Sequence, residues 1–151
     1  MPFVGDSYHS PKLALRWIDR REVGVFAVRA IRKGEILTIS GGRVLPYHCV
    51  KVLPPSFRRL CFYVEYGYYV APSSPRAMGL GFHVNHSCAP NAGDLRGGHA
   101  LTCVALRPIA TGEEITCDYR PVLNPDDTQY RPLLRFRCRC GSKRCAGFIR
   151  A

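Results

Sequence analysis

Apolar positions along the chain come in short runs broken by turn residues, and no stretch sustains a 3.6-residue period long enough for a substantial helix. Val23–Val28 and Glu35–Ile39 are β-prone runs separated by a turn at Arg32-Lys33-Gly34. "YVEYGYYVA" reads as two β-rich runs about Gly67, a hairpin. "HALTCVALRPIATGEEITCDY" carries two more, parted by Pro108 and the turn Thr111-Gly112. Ser40–Leu45, "SGGRVL", predicts a Gly-rich bend, and 72–81, "PSSPRAMGLG", a loop. The one helical expectation is "SFRRLCF" after Pro54-Pro55, with Ser56 as N-cap. The pattern therefore predicts a mainly β chain of short segments joined by bends, without internal repeats.

Residues 1–12 read as a loose lead-in, and the Pro- and Asp-rich stretch "RPVLNPDDTQYRPL" as a linker before a cysteine-rich tail. A length of 151 residues fits one ordinary domain with a small appendage, large enough to fold without disulfide staples. Nothing approaches the roughly 20 apolar residues of a membrane span, and the N-terminus lacks a secretory pattern, so an intracellular, reducing home is expected.

Lys and Arg number 22 against 11 Asp and Glu, a formal net charge of +11. That balance favours a polyanionic neighbour such as nucleic acid or an acidic protein surface, with a merely solubilising charge as the alternative. Among the eight cysteines, Cys49, Cys61, Cys103 and Cys117 sit in apolar company and read as small buried hydrophobes. Cys138, Cys140 and Cys145 form a C-x-C-x4-C cluster, which in a reducing compartment points to metal rather than disulfide. Three thiolates lack one donor for tetrahedral zinc. Cys88, presented after a loop and before Pro90-Asn91, is the natural fourth, with His86 or a water as the alternative.

"NHSCAPN" (Asn85–Asn91), "GEEITCDY" (Gly112–Tyr119) and "CRCGSKRC" (Cys138–Cys145), preceded by "VGVFAVRAIRKGEIL", occur in this order over roughly residues 14–149. Together they resemble the SET-domain lysine methyltransferases that carry a post-SET zinc tail. The resemblance implies a β-clip-like set of short sheets with a C-terminal pseudoknot, divided as lead-in 1–13, SET domain 14–120, linker 121–134 and post-SET motif 135–151. It implies one structural Zn2+ on Cys88, Cys138, Cys140 and Cys145, clamping the tail over the cofactor site. It implies S-adenosylmethionine as cofactor, with backbone from Gly24, Val25 and Phe26 close to it. Asn85 would hold the amino-acid end and the backbone of His86 the adenine, covered by Arg139; Tyr63 is a weaker contact. Tyr119 matches the catalytic tyrosine, and Cys117 with Tyr119 would line the lysine channel; Asp118 reads as structural.

The chain departs from the family pattern at four places. The first glycine of Gly-x-Gly is Glu22, and Ser40-Gly41-Gly42-Arg43 replaces a Tyr-x-Gly-Glu. Phe82-His83-Val84 stands for Arg-Phe-Ile, and Cys117 for a Phe or Tyr that limits methyl number. The small Cys117 side chain predicts room for di- or trimethylation. The resemblance implies a protein substrate with an exposed lysine, a histone tail among the candidates, and a chromatin-associated, nuclear place if the host is eukaryotic. The positive charge calls for either DNA or nucleosome contact through the basic surface, or a local acidic groove from Glu65, Asp94, Glu113, Glu114, Asp126 and Asp127. The competing reading is a catalytically weak SET-like module that binds chromatin or nucleic acid; a plain zinc-stabilised interaction domain is a third.

Overall fold

In the computed structural model, residues 5–20, 22–58, 60–95, 102–120 and 137–149 are described. The predicted linker at 121–134, with Asp126 and Asp127, lies outside them. Short apolar runs ending in turn residues become short strands, and they assemble into three small sheets. β1 (Tyr8–His9), β4 (Ile36–Ile39), β10 (Thr102–Ala105) and β9 (Ala92–Asp94) form the first, in the order β1-β4-β10-β9. The second, β2-β3-β11-β8, takes β2 (Leu13–Trp17), β3 (Val23–Ala27), β11 (Glu114–Cys117) and β8 (Asn85–His86). The third, β5-β7-β6, takes β5 (Arg43–Pro46), β7 (Tyr68–Ala71) and β6 (Phe62–Glu65). The chain is mainly β, as its pattern predicts.

The first two sheets bury their inner faces against each other. Leu37, Ala92 and Ala105 from one meet Leu13, Val25, Ala27 and Ile115 from the other, and Ile31, Val84 and Ile109 close the cluster. Cys103 and Cys117 pack against it. A second core lies under the third sheet, where Leu45, Tyr69 and Ala71 meet Val50, Cys61 and Ile149. Tyr119 and Cys138 pack on its edge, so the catalytic candidate and the cysteine tail share one apolar support. Burial pushes the Cys61 thiol up to about 11 and Cys103 up to about 12, and raises Cys117 further still. These three thiols stay protonated and behave as small apolar groups.

The predicted hairpin is present: Phe62 pairs with Val70 and Tyr63 with Tyr69 across the turn Tyr66-Gly67. Both turn residues have positive φ, 50° and 76°, as a type I′ connection demands. Five expectations change. Arg43–Pro46 is a strand, because Arg43 to Pro46 pair antiparallel with Tyr68 to Ala71; only the residues before it bend. Gly42 makes that bend at φ 139°, and a Cβ there would sit 2.0 Å from the carbonyl oxygen of Ala71. The helix expected from Ser56 is a single turn, α2 (Pro55–Arg58), started by Pro55 itself, because pairing with β7 claims Phe62. An unanticipated helix, α1 (Tyr47–Lys51), precedes it and buries Val50. The lead-in is not loose throughout, since Tyr8 and His9 pair with Ile39 and Thr38. The predicted loop at 72–81 contains 3-10 turns at Pro75–Ala77 and from Leu80.

Candidate active site

The site is assembled where β8 lies parallel to β11. Asn85 pairs with Thr116 and His86 with Cys117, and the amide of Ser87 donates to the carbonyl of Cys117 at 2.9 Å. This parallel pairing joins segments about thirty residues apart. Asn91 locks it. Its buried side chain donates to the carbonyl of Glu114 (2.7 Å) and to Glu113 (3.0 Å), and accepts from the amide of Thr116 (2.9 Å). Its sequence neighbourhood showed only a turn; a long-range hydrogen-bond role leaves no local signal.

Beside the pairing opens a cleft of about 370 Å³, lined by Asn85, His86 and Tyr119 on one side and by Arg137, Arg139 and Ile149 of the tail on the other. That is within the range of about 300–1,000 Å³ usual for small-ligand sites. Glu22 and Glu114 also face it. Asn85 bridges the cleft wall, donating to the carbonyl of Val23 (3.0 Å) and to Glu114 Oε1 (2.9 Å). Gly24 keeps this arrangement open. A Cβ at that position would fall 2.6 Å from Glu114 Oε1 and 2.9 Å from Ile18 Cδ1.

Tyr119 donates its hydroxyl to the carbonyl of Val84 at 2.7 Å. Burial, with the thiol of Cys117 and the carboxylates of Glu22 and Glu114 adding to it, pushes the phenol well above its ordinary value. It therefore remains protonated at any physiological pH. The His86 ring packs 5.4 Å from the Tyr119 ring, and its Nδ1 accepts the backbone N–H of Tyr119 at 3.2 Å. Burial lowers the His86 pKa, outweighing the pull of Asp118. Asp118 itself is held by Arg120, which keeps its carboxyl below the usual range despite its burial.

The sulfurs of Cys88, Cys138, Cys140 and Cys145 all lie within 4.8 Å of one another. Ligands at the Zn–S distance of about 2.3 Å in a tetrahedron stand roughly 3.8 Å apart; Cys88 Sγ and Cys138 Sγ are 3.7 Å apart. Backbone amides of Cys88 and Gly147 point at the sulfurs of Cys140 and Cys145, at 3.5 and 3.4 Å, as suits thiolates. Burial pushes Cys138 up to about 12, whereas backbone and thiol donors bring Cys140 down to about 6 against its burial. The donor set, spacing and amide dipoles are compatible with a post-SET zinc site. The tail folds back on itself through an antiparallel bridge of Arg137 with Phe148, and the amide of Cys138 donates to the carbonyl of Gly147 at 2.9 Å.

The remaining sequence candidates fall elsewhere. Val25 is fully buried in the first core, and the ring of Phe26 lies under the guanidinium of Arg16, 5.8 Å from its centroid. None of Gly24, Val25 and Phe26 is among the residues that line the cleft. Tyr63 packs edge-on to Tyr69 at 5.4 Å and Cys117 packs on the first core; neither lines the cleft. Of the acidic candidates, Glu113 is paired with Arg107 and Glu114 faces the cleft. Glu22, Ile18 and Ile149 line the cleft without having been anticipated there as contacts.

The profile of the SET domain family matches residues 22–120. The chain belongs to this family. A SET-domain assignment accounts for the short sheets and the β8–β11 pairing, and the four-cysteine cluster beyond it is compatible with a post-SET zinc site. Among curated relatives, the chain is 35% identical over 75 residues to "Histone-lysine N-methyltransferase, H3 lysine-4 specific" of Saccharomyces cerevisiae, which is 47% of this chain and 6% of that protein. It is 28% identical over 155 residues to "Variant-silencing SET domain-containing protein" of Plasmodium falciparum, 90% of this chain and 6% of that protein. It is 35% identical over 71 residues to "Histone-lysine N-methyltransferase 2B" of Homo sapiens, 44% of this chain and 2% of that protein. The SET domain thus spans a small fraction of the length of the relatives it matches. No helix among the described residues is long and apolar enough to cross a membrane.

Proposed function

We propose that the chain is an S-adenosylmethionine-dependent protein-lysine methyltransferase acting on an exposed lysine, with a histone tail as the first candidate substrate. One observation carries the reading: Asn85, His86 and Tyr119, at and beside the β8–β11 pairing, line a single cleft that the cysteine-bearing tail borders. Methyltransferase names among the relatives support the same chemistry. On that reading the chain works at chromatin, in a nucleus where the host has one.

When bound, S-adenosylmethionine supplies a methyl group on a sulfonium. Asn85, already polarised by Glu114, would hold its amino-acid end, with backbone from Gly24, Val25 and Phe26 beside it. The backbone of His86 and the side chain of Arg139 would take the adenine. Tyr63, packed edge-on to Tyr69 in the second core and away from the cleft, would not touch the cofactor. Tyr119 is the residue assigned to catalysis. Its phenol is protonated and already donates to Val84, so it cannot serve as base; its lone pairs can orient the attacking amine. The lysine, with a reference pKa near 10.4, must arrive neutral, and an apolar channel beside a cation lowers that value. Cys117 packs on the first core rather than on the cleft; the family position would still put it behind the channel wall, where a small side chain leaves room for more than one methyl. Zinc on Cys88, Cys138, Cys140 and Cys145 would hold the tail over the cleft. The domain limits 14–120 and 135–151 belong to this proposal; the family profile itself spans residues 22–120.

The test is transfer of labelled methyl to core histones and to nucleosomes by zinc-loaded protein, beside Tyr119→Phe. Label on lysine that falls about 100-fold or more in the variant, the scale at which one positioned group acts, supports the assignment. Cofactor binding without transfer to either substrate would favour a SET-like module that binds chromatin through its basic surface, a reading that the Glu22 departure favours. Mass spectrometry of the product should show di- or trimethyl lysine, and monomethyl alone would remove the role given to Cys117.

A further inference from the structure

The His86 ring touches both halves of the site. Its side chain is 5% exposed. On one side Nδ1 accepts the backbone N–H of Tyr119 at 3.2 Å. On the other, Nε2 lies 3.4 Å from Cys88 Sγ. An accepting Nδ1 carries no proton, so the neutral ring bears its proton on Nε2, aimed at the sulfur. Asp118 Oδ1, 3.8 Å from Nδ1, is too distant to compete and is engaged by Arg120.

From this geometry we infer that His86 is a positioning residue that couples the metal state of the cysteine cluster to the backbone at Tyr119; the inference rests on the zinc reading above. A metal-bound thiolate accepts a charge-assisted hydrogen bond from Nε2–H. That bond fixes the ring, and the fixed ring fixes where Nδ1 meets the amide of Tyr119. The linkage is reciprocal: whatever the metal contributes to holding Tyr119, an ordered Tyr119 contributes to holding the metal. The sequence offered His86 through its backbone, as a contact to adenine, and through its side chain only as an alternative fourth donor to the metal. The side chain has this second task because strand β8 turns its ring inward, between Cys88 and Tyr119.

Two substitutions separate the two arms. The amide of His86→Gln reaches the Nε2 position and keeps a donor for Cys88; that of His86→Asn reaches only the Nδ1 position and keeps an acceptor for Tyr119. Zinc affinity, read by competition with a chromophoric chelator on the full chain, is expected to fall 10–100-fold in His86→Asn and to hold within a few-fold in His86→Gln, the range seen when a partner of a metal ligand is lost. Cobalt substitution should shift the sulfur-to-metal absorption band in the Asn variant alone. Zinc removal from the unmodified chain should accelerate hydrogen exchange at the Tyr119 amide, an effect that shrinks in both variants. Equal zinc affinity in His86→Asn and the unmodified chain, or Tyr119 exchange indifferent to zinc, would overturn the coupling while leaving the methyltransferase reading intact. A chain that takes up no zinc would overturn the coupling and the zinc assignment together.

Discussion

Replacing Ile149 by Ala tests whether the tail is part of the folded body or an ornament on it. Ile149 is 7% exposed and packs with Leu45, Val50 and Tyr69 in the second core, next to Cys138. Ile→Ala in a core costs about 2–5 kcal/mol. Ile149 also borders the cleft, where solvent can enter the space left behind, so the lower part of that range, about 2–3 kcal/mol, applies. In a chain of this size 1 kcal/mol moves the melting temperature by about 2–4 °C, which gives a drop of about 4–12 °C. Ile149→Val should cost only about 0.5–1.5 kcal/mol. The assay is thermal unfolding of zinc-loaded protein followed by circular dichroism, repeated after chelation. If the metal and the Ile149 contact hold the same segment, chelation releases the tail and most of the mutational cost disappears with it. An identical shift with and without metal would show that Ile149 packs independently of the cysteines. No shift in either condition would refute the second core as drawn.

Gly24→Ala should weaken S-adenosylmethionine binding by about tenfold or more, roughly 1.4 kcal/mol, because its Cβ displaces the Glu114 carboxylate that Asn85 holds; calorimetric titration reads this, and melting should move little. Acid stability should depend on Glu113. Arg107 first, then Asn91 and the amide of Ala110, bring its carboxyl from 4.5 down to about 2. A depressed carboxylate stabilises the fold fully above the unfolded value, and the contribution disappears as pH falls from about 4.5 to about 2. Glu113→Gln should therefore be less stable at neutral pH by about 1 kcal/mol for this part-exposed group, with the gap closing by pH of about 2; a gap that persists in acid would assign the effect to packing.

What was legible in the chain divides by sequence distance. The hairpin of β6 and β7 could be read because both strands and the Tyr66-Gly67 turn sit within ten residues. β3 and β4 could be read from their own β-branched runs. Helix α1 could not: "YHCVK" has no capping side chain, and its helical form comes from Val50 reaching the second core. β8 and β9, two and three residues long, exist only through their partners, so no periodicity could reveal them. The cysteine grouping was legible because C-x-C-x4-C is a local spacing and the fourth sulfur came with the family motif. The hydrogen bonds of Asn91 and the second contact of His86 were not, since each depends on which distant backbone arrives beside it.

The charge balance, unhelpful as an average, becomes informative once placed. A net +11 surface should repel a lysine-rich tail at long range, yet long-range fields between exposed charges are screened beyond about 8–10 Å. What a bound lysine would meet is the local set. Glu113, Asp118 and Glu35 are each matched with Arg107, Arg120 and Lys12. Glu22 and Glu114 instead face the cleft, and both add, after burial and the Cys117 thiol, to the rise of the Tyr119 phenol. The substitution of Glu22 for the family's glycine thus adds a carboxylate where a cofactor sulfonium and ammonium and an incoming amine would gather. The cleft thus sets Glu22 and Glu114 against Arg137 and Arg139 of the tail, so a cationic amine would meet its carboxylates locally although the average surface is positive.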